Sequence, residues 1–384
     1  MTEQVDVLII GGGIYGAGIA QAAAVAGHSV LLVEQQQIAS ATSSNSTKLI
    51  HGGLRYLESM EFGLVCEALH ERERLLALAP ELVSREWFYI PVYRDSRRPC
   101  WQIRYGLGLY WLLSLGRSRF KQLPERLWQQ AVPGLDTLQM TALLAYEDAA
   151  TDDAALTRAV AASAAQLGAE IRENTRFIRA RHAGRQWHVE LSAASNVRAT
   201  ILINAAGPWI NRVRERIEPR PPAQPVQLVQ GAHLHLNRPC AAFVYVESAD
   251  GRVMFFRPWQ GGTLAGTTET PFHGNPAEAR ATPTETTAIL TTYNRCFPAM
   301  RCSEHDILKQ YCGIRVLPLH PGSPFSASRR AILQCDTPAC PTYIAVYGGK
   351  LTTYRRESEK VARLIARRLP PSRNADTARI RLQP

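Results

Sequence analysis

Three features of the 384-residue chain predict an α/β fold of two domains, α+β in overall class. A glycine-rich strand, turn and helix open the sequence. Two further apolar strands, well downstream, end in small residues and glycine. Between them lies a run of closely spaced strand-like segments. With 46% hydrophobic and 20% charged residues, the chain can bury two cores, and a disordered chain is excluded. Its 26 glycines and 24 prolines are too few for a fibrous or low-complexity protein.

The first element, VDVLII (5–10), is a continuous apolar run rich in β-branched residues, the pattern of a buried parallel strand. It runs into GGGIYGAG, which sets Gly11, Gly13 and Gly16 at GxGxxG spacing. A helical stretch then stops at Gly27, and SVLLVE (29–34) reads as a second strand ending in Glu34. The first glycine makes the tight turn, the second lets backbone N–H groups approach a pyrophosphate, and the third allows helix to pack on strand. The helix N-terminus adds a partial positive charge, and Glu34 is placed to accept hydrogen bonds from ribose hydroxyls. A Rossmann-like unit holding a dinucleotide is expected, with FAD and NAD not separated at this point.

The next stretch, ASATSSNSTKLIHGGLRYLE (39–58), offers Ser40, Thr42, Ser43, Ser44, Ser46 and Thr47, then Lys48. It suits a loop laid along an extended cofactor, and equally a solvated polar loop. Further on, YEDAATDDAAL (146–156) offers Asp153 as the N-cap of a helix ending at Gly168. ATILINAAGPW (199–209) is an apolar strand ending in small residues, where an α/β sheet lets a ligand approach. In the middle, VQLVQGAHLHL (226–236), CAAFVYVES (240–248), RVMFFRPW (252–259) and TLAGTTET (263–270) are successive strands, with QGG as a hairpin turn between the last two. They predict an antiparallel sheet. TYIAVYGGKLTTY (342–354) is again strand, glycine turn and helix, the helix running to about Arg368 before Pro370 and Pro371. Gly348 and Gly349 would let the backbone pass close under a planar ring.

Charge narrows the partners. The net charge is +11, and lysine supplies only Lys48, Lys121, Lys309, Lys350 and Lys360 of the 44 basic residues. Such arginine bias follows from nucleotide composition, or from an anionic substrate, cofactor or membrane surface. No dense basic run carries interleaved aromatics, so nucleic acid is not expected as a partner. Eight cysteines without a CxxC pair fit reduced thiols and no zinc site. Glu3 and Asp6 stand where a signal peptide would be basic. YGLGLYWLLSLG (105–116) is shorter than the roughly 20 apolar residues that span a bilayer. It reads as a core helix, a membrane-surface segment or the wall of an entry for a lipid-soluble partner.

GGGIYGAGIA and SNSTKLIHGGLRYLE, followed in order by NAAGPW (204–209), GTTE (266–269), GIRVL (313–317) and VYGGKLTTYRR (346–356), closely resemble the FAD-dependent glycerol-3-phosphate dehydrogenase family, within the D-amino-acid-oxidase-like flavoproteins. The resemblance covers nearly the whole chain. It implies an FAD-binding domain built from 1–85, 140–220 and 310–384, with a substrate domain inserted as 86–139 and 221–309. It places FAD against the glycine loop, Glu34, Thr42, Ser43, Ser44, Ser46 and Lys48, and adds Leu49, Gly52, Ala206, Gly207, Gly349, Leu351 and Thr352. It implies oxidation of sn-glycerol 3-phosphate to dihydroxyacetone phosphate by hydride transfer from C2 to flavin N5, with electrons passed to a quinone. The implied location is cytoplasmic, with peripheral contact to the inner face of the cytoplasmic membrane as a further option.

The family's substrate contacts fall on Arg55, Tyr56, Thr268, Arg315, Arg329 and Lys350, donors suited to a phosphate dianion. Arg315 and Lys350 are also expected in catalysis. His233 is the first candidate to accept the hydroxyl proton and His51 the second, with an arginine-assisted transfer lacking a discrete base left open. Two departures stand out. The family carries a further C-terminal helical domain, whereas this chain ends soon after its glycine-turn helix. GTTE also replaces the usual GTTD, moving a carboxylate by about 1.5 Å. An oxidase or dehydrogenase for another small anionic amine or hydroxy acid is the alternative. A non-catalytic flavoprotein docking on a membrane or partner is the second.

Overall fold

The computed structural model describes residues 3–192, 194–319, 329–373 and 376–384. Two sheets organise them. The first is centred on Glu3–Ile10, which pairs in parallel with Val30–Val33 on one side and Ser195–Asn204 on the other. Tyr343–Tyr347 joins Ser195–Asn204 in parallel, so strands from both ends of the sequence lie side by side. These strands are buried on both faces, which is why they read as unbroken apolar runs. Helices Ile14–Val25, Asp153–Gln166 and Tyr354–Ile365 cover one face, packing Ala17, Ala20, Leu156, Val160 and Val361 over Val7, Ile9, Ile201, Ile203 and Ile344.

The second sheet is longer than the sequence suggests. Val226–Leu236 pairs along its whole length with Ile307–Pro318, and also with Gly262–Gly266 and Thr270–Phe272, all antiparallel. The sheet continues through Val253–Trp259 to Phe243–Glu247. There it departs from the expected wholly antiparallel arrangement, because Phe243–Glu247 runs parallel to Val83–Tyr93. Val83–Tyr93 then pairs antiparallel with Met140–Thr151. Residues 140–151 and 310–318, assigned from the sequence to the cofactor unit, thus pair in the second sheet. A strand's partners lie far away in sequence, so these pairings leave no local trace. Helix Pro283–Cys296 backs this sheet, Ile289 and Tyr293 packing on Leu234, Val244 and Phe256.

Segment 105–116 falls mainly in helix Cys100–Leu113, which buries only Leu107 and Tyr110. Trp101, Tyr105 and Leu112 are exposed, so it is a flanking surface helix and not a core helix. Among the described residues, no helix is long and apolar enough to cross a membrane.

Candidate active site

A cleft of about 290 Å³ lies where the glycine turns of the first sheet meet the second sheet. Its cofactor end begins at the glycine loop. Gly11 has φ +109°, and a Cβ there would meet the Ala205 carbonyl oxygen at 2.6 Å. A Cβ on Gly16 would fall 1.9 Å from the Gly11 carbonyl oxygen. Helix Ile14–Val25 starts at Gly13 with no side-chain cap and no acid in its first turn, and Gly13, Ile14 and Tyr15 line the cleft. With the Ile14 N–H taken by Ser43 Oγ, the partial positive charge of the helix start and its remaining first-turn N–H groups fit a pyrophosphate. Glu34 Oε2 accepts from the Gly12 N–H at 2.7 Å and Oε1 from the Gln36 N–H at 3.0 Å, which fixes the acid at the end of its strand. Its remaining lone pairs suit ribose hydroxyls.

The hydroxyl-rich stretch divides. Thr42, Ser43, Ser46, Thr47 and Leu49 line the cleft. Ser43 Oγ accepts from the Ile14 N–H at 3.0 Å, and Thr42 donates to the Ile314 carbonyl at 2.8 Å, tying the loop to both sheets. Ser44 instead donates to the Ala41 carbonyl at 3.0 Å, within its own turn. Lys48 does not line the cleft. It is buried, with Nζ paired to Asp153 and donating to the Ser44 carbonyl at 3.0 Å. Asp153 is accordingly the buried partner of Lys48, and the N-cap of its helix is Asp152, which accepts from the Ala154 and Ala155 N–H groups.

Breaking one side of a buried ion pair leaves an uncompensated charge, at a cost of about 3–5 kcal/mol. Lys48→Met is therefore expected to lower unfolding stability by about that amount while flavin affinity in the folded protein changes little, measured by urea titration and cofactor release. Flavin loss without a stability change would return Lys48 to the cofactor.

The C-terminal glycine turn closes the same end. Gly348, Gly349, Lys350, Leu351 and Thr352 line the cleft, and Thr352 Oγ1 accepts from the His51 N–H at 3.1 Å. Gly349 has φ +93°, and a Cβ there would fall 2.0 Å from the Tyr15 hydroxyl, which donates to the Lys350 carbonyl at 3.1 Å. Gly207 also lines the cleft, whereas Gly52 sits behind it, donating its N–H to the Tyr110 hydroxyl at 2.8 Å. Ala206 is half-buried beside Gly207, its N–H bonded to Asn204 Oδ1. This cradle of glycines at both chain ends, with an uncapped helix start between them, fits a dinucleotide carrying a flat ring.

The other end is cationic. Arg55, Arg315, Arg329 and Lys350 all line it, together with Tyr56. Glu269 Oε1 accepts from Arg55 at 3.1 Å, Arg315 at 3.2 Å and Arg329 at 2.5 Å. Burial disfavours the Glu269 charge, but these guanidiniums hold its pKa below the usual carboxylate range. Lys350 Nζ donates to the Gly52 carbonyl at 3.1 Å and sits 4.0 Å from the Tyr56 ring centre. Burial lowers the pKa of Lys350, and that of Arg315 to about 10, so Arg315 stays charged at neutral pH.

Thr268 faces away. Its hydroxyl accepts from the Ala232 N–H at 2.9 Å and donates to Glu285 at 2.7 Å, so its side chain is committed to the second sheet. Neighbouring Thr267 lines the cleft and accepts from Arg315 at 2.9 Å. His233 is buried behind the lining, its Nε2 2.9 Å from the Thr47 hydroxyl. His51 lines the cleft directly, edge-on to Phe255. Burial, with Lys350 and Arg55 nearby, lowers His51 to about 3, and burial with Arg315 and Lys48 lowers His233 to about 3. Both imidazoles are neutral at pH 7. Sequence reasoning passed over Tyr15, Thr267 and Phe255, and named Thr47 only as one hydroxyl of its loop. All four stand within or beside the motifs it singled out.

The family described as FAD dependent oxidoreductase (DAO) matches residues 6–355. The glycerol-3-phosphate dehydrogenase of Pseudomonas aeruginosa is 38% identical over 377 residues, covering 94% of this chain and 71% of the relative. The D-erythritol 1-phosphate dehydrogenase of Brucella abortus is 36% identical, covering 93% and 73%. Among solved structures, the glycerol-3-phosphate dehydrogenase from Bacillus halodurans complexed with FAD superposes with TM-score 0.78 at 28% identity, over 99% of this chain and 68% of that one. Glycine oxidase from Geobacillus kaustophilus shares the fold, with TM-score 0.73 at 20% identity over 100% and 99% of the two chains.

Proposed function

Because the chain belongs to the FAD dependent oxidoreductase family, as an enzyme with FAD as its cofactor and glycerol-3-phosphate dehydrogenases among its relatives, we propose that it oxidises sn-glycerol 3-phosphate to dihydroxyacetone phosphate and passes the electrons to a quinone. The observation that carries this reading is the convergence of Arg55, Arg315, Arg329 and Lys350, from separate stretches of chain, on one cleft. The glycine turns at both chain ends would hold FAD, which when bound would supply the hydride acceptor for the substrate's carbinol. Arg55, Arg315, Arg329 and Lys350 hold the phosphate as a fixed charge clamp and thereby orient the carbinol. Thr267 steadies the Arg315 fork. His51 is the imidazole that faces the substrate, and His233 reaches it only through the Thr47 hydroxyl. A bound dianion offsets the cations that depress these histidines, raising their basicity when the hydroxyl proton must leave.

A second cavity, of about 530 Å³, shares Leu54, Arg55 and Tyr245 with the cleft. Leu57, Phe62, Ile103 and Leu109 form an apolar part of its wall, which could take a quinone head, with Arg97, Arg98, Glu58 and Glu247 among the charged residues of the remainder. Exposed Trp101, Tyr105 and Leu112 stand on the same helix, the side where peripheral contact with the cytoplasmic membrane fits this reading.

The test is anaerobic mixing of the flavin-loaded protein with glycerol 3-phosphate while flavin absorbance is followed. Rapid bleaching is expected, with none from sarcosine or 2-hydroxy acids; the reverse pattern overturns the substrate assignment. The Brucella relative makes erythritol 1-phosphate a further arm.

Tyr56 sets a pH limit. Burial raises its pKa, but Lys350, Arg55 and Arg329 outweigh burial and bring it to about 8. Below that pH the phenol is neutral; above it, a phenolate faces the phosphate. KM is therefore expected to rise above pH 8, with a limiting slope of about tenfold per unit, and Tyr56→Phe to flatten that rise. A wild-type KM that stays flat to pH 9.5 removes Tyr56 from the phosphate site.

A further inference from the structure

We infer that Glu269 is the specificity-determining residue of the cleft, one carboxylate oxygen fixing the arginine clamp and the other accepting a hydrogen bond from a hydroxyl on the substrate's carbon chain. This rests on the polyol phosphate reading above and narrows it to substrates that carry a free hydroxyl next to the carbinol.

The two oxygens of Glu269 have different surroundings. Oε1 is saturated by Arg55, Arg315 and Arg329. Oε2 is shielded from solvent and, among the described residues, has no hydrogen-bond partner. The side chain is 6% exposed and lines the cleft. A buried carboxylate oxygen left unmade is costly, and a native site that keeps one is built to receive a donor from elsewhere. Arg329 offers the complement, because its Nε and Nη1 are buried without acceptors among the described residues. Unmet acceptor and unmet donors thus stand together, matching a molecule with both a hydroxyl and anionic oxygens.

The ligand class follows from charge. An ionised carboxylate only accepts hydrogen bonds, so Glu269 repels phosphate and carboxylate oxygens and selects O–H groups. The phosphate must then lie away from Oε2, among the other donors of the clamp, with the carbon chain directed toward Glu269. The acid is also held in place from both sides. Thr268 and Thr270 each donate to Glu285 Oε1 at 2.7 Å, and the Glu269 carbonyl accepts from Arg252 at 3.1 Å.

The experiment uses the oxidised holoenzyme and two ligands that it cannot oxidise further. Dihydroxyacetone phosphate carries the relevant hydroxyl and hydroxyacetone phosphate lacks it. Calorimetric titration is expected to show a preference for the former of about 10–100-fold, the effect of one hydrogen bond to a charged group. E269Q is expected to bring that ratio close to one, chiefly by weakening the hydroxylated ligand. Equal weakening of both ligands, with the ratio kept, overturns the inference, because charge balance alone would do that. If E269Q loses its flavin, E269D decides, since retracting the carboxylate by one methylene must also change the ratio. A wild-type ratio near one overturns the inference outright. If the wild type is neither bleached by glycerol 3-phosphate nor able to bind dihydroxyacetone phosphate, the parent reading has failed instead.

Discussion

Arg315→Ala is expected to lower kcat/KM for glycerol 3-phosphate by about 10²–10³-fold while the protein keeps its flavin. Arg315 stands opposite Val229 in the long pairing between Ile307–Pro318 and Val226–Leu236. Its guanidinium passes over Gly231, where a Cβ would come within 2.6 Å of Nη2. It donates to the Thr267 hydroxyl and to Glu269, so it ties strand Ile307–Pro318 to residues 267–269 and, on the proposed reading, offers donors to the phosphate. Truncation removes a half-buried, charge-assisted donor and leaves Glu269 with fewer partners, which is why the effect exceeds that of a surface ion pair. Arg315→Lys is expected to recover about tenfold, since it restores charge but not the planar fork. Steady-state kinetics with a dye acceptor, alongside flavin content, measure this. A loss smaller than about fivefold would show that the clamp does not depend on Arg315.

Gly16→Val is expected to yield a chain purified without flavin. A Cβ at this position would overlap the Gly11 carbonyl oxygen, and Gly11 cannot retreat because the Ala205 carbonyl lies against it. Gly11 lies in the turn and Gly16 in the first turn of the helix that follows, so the clash opens the cradle proposed for the pyrophosphate. Overpacking adds about 1–3 kcal/mol of destabilisation. Visible absorbance per polypeptide and thermal unfolding test this, and stoichiometric flavin in the variant would overturn the role given to the loop.

The four central parallel strands of the first sheet were legible because they are largely buried on both faces and their turns need glycine at fixed spacing, whereas outer strands such as Phe177–Ala183 and Gln186–Leu191, with one face exposed, were not read. VDVLII, GGGIYGAG and SVLLVE therefore stand in chain order as they stand in space. The second sheet was legible only where hairpins join neighbours. Val83–Tyr93 mixes arginine, glutamate and proline with aromatics, and its partner Phe243–Glu247 lies more than 140 residues away. Lys48 shows the same limit. In a hydroxyl-rich loop a lysine reads as a ligand contact, and nothing local reveals an aspartate 105 positions later beneath it. For Thr267 and Thr268 the motif named the pair, but extended backbone sends adjacent side chains to opposite faces, and composition cannot say which one meets the cleft. The same holds for His51 and His233, separated in role by burial alone.

The strand Tyr343–Tyr347 and the turn after it supply one wall of the site, docked on the first helix through the Tyr15 hydroxyl. During synthesis on the ribosome, the glycine loop emerges more than 300 residues before that wall exists. A nascent chain can therefore form its phosphate cradle early, yet it acquires a complete seat for the flavin only once residues 343–352 have been made, so polypeptides truncated before them should be colourless.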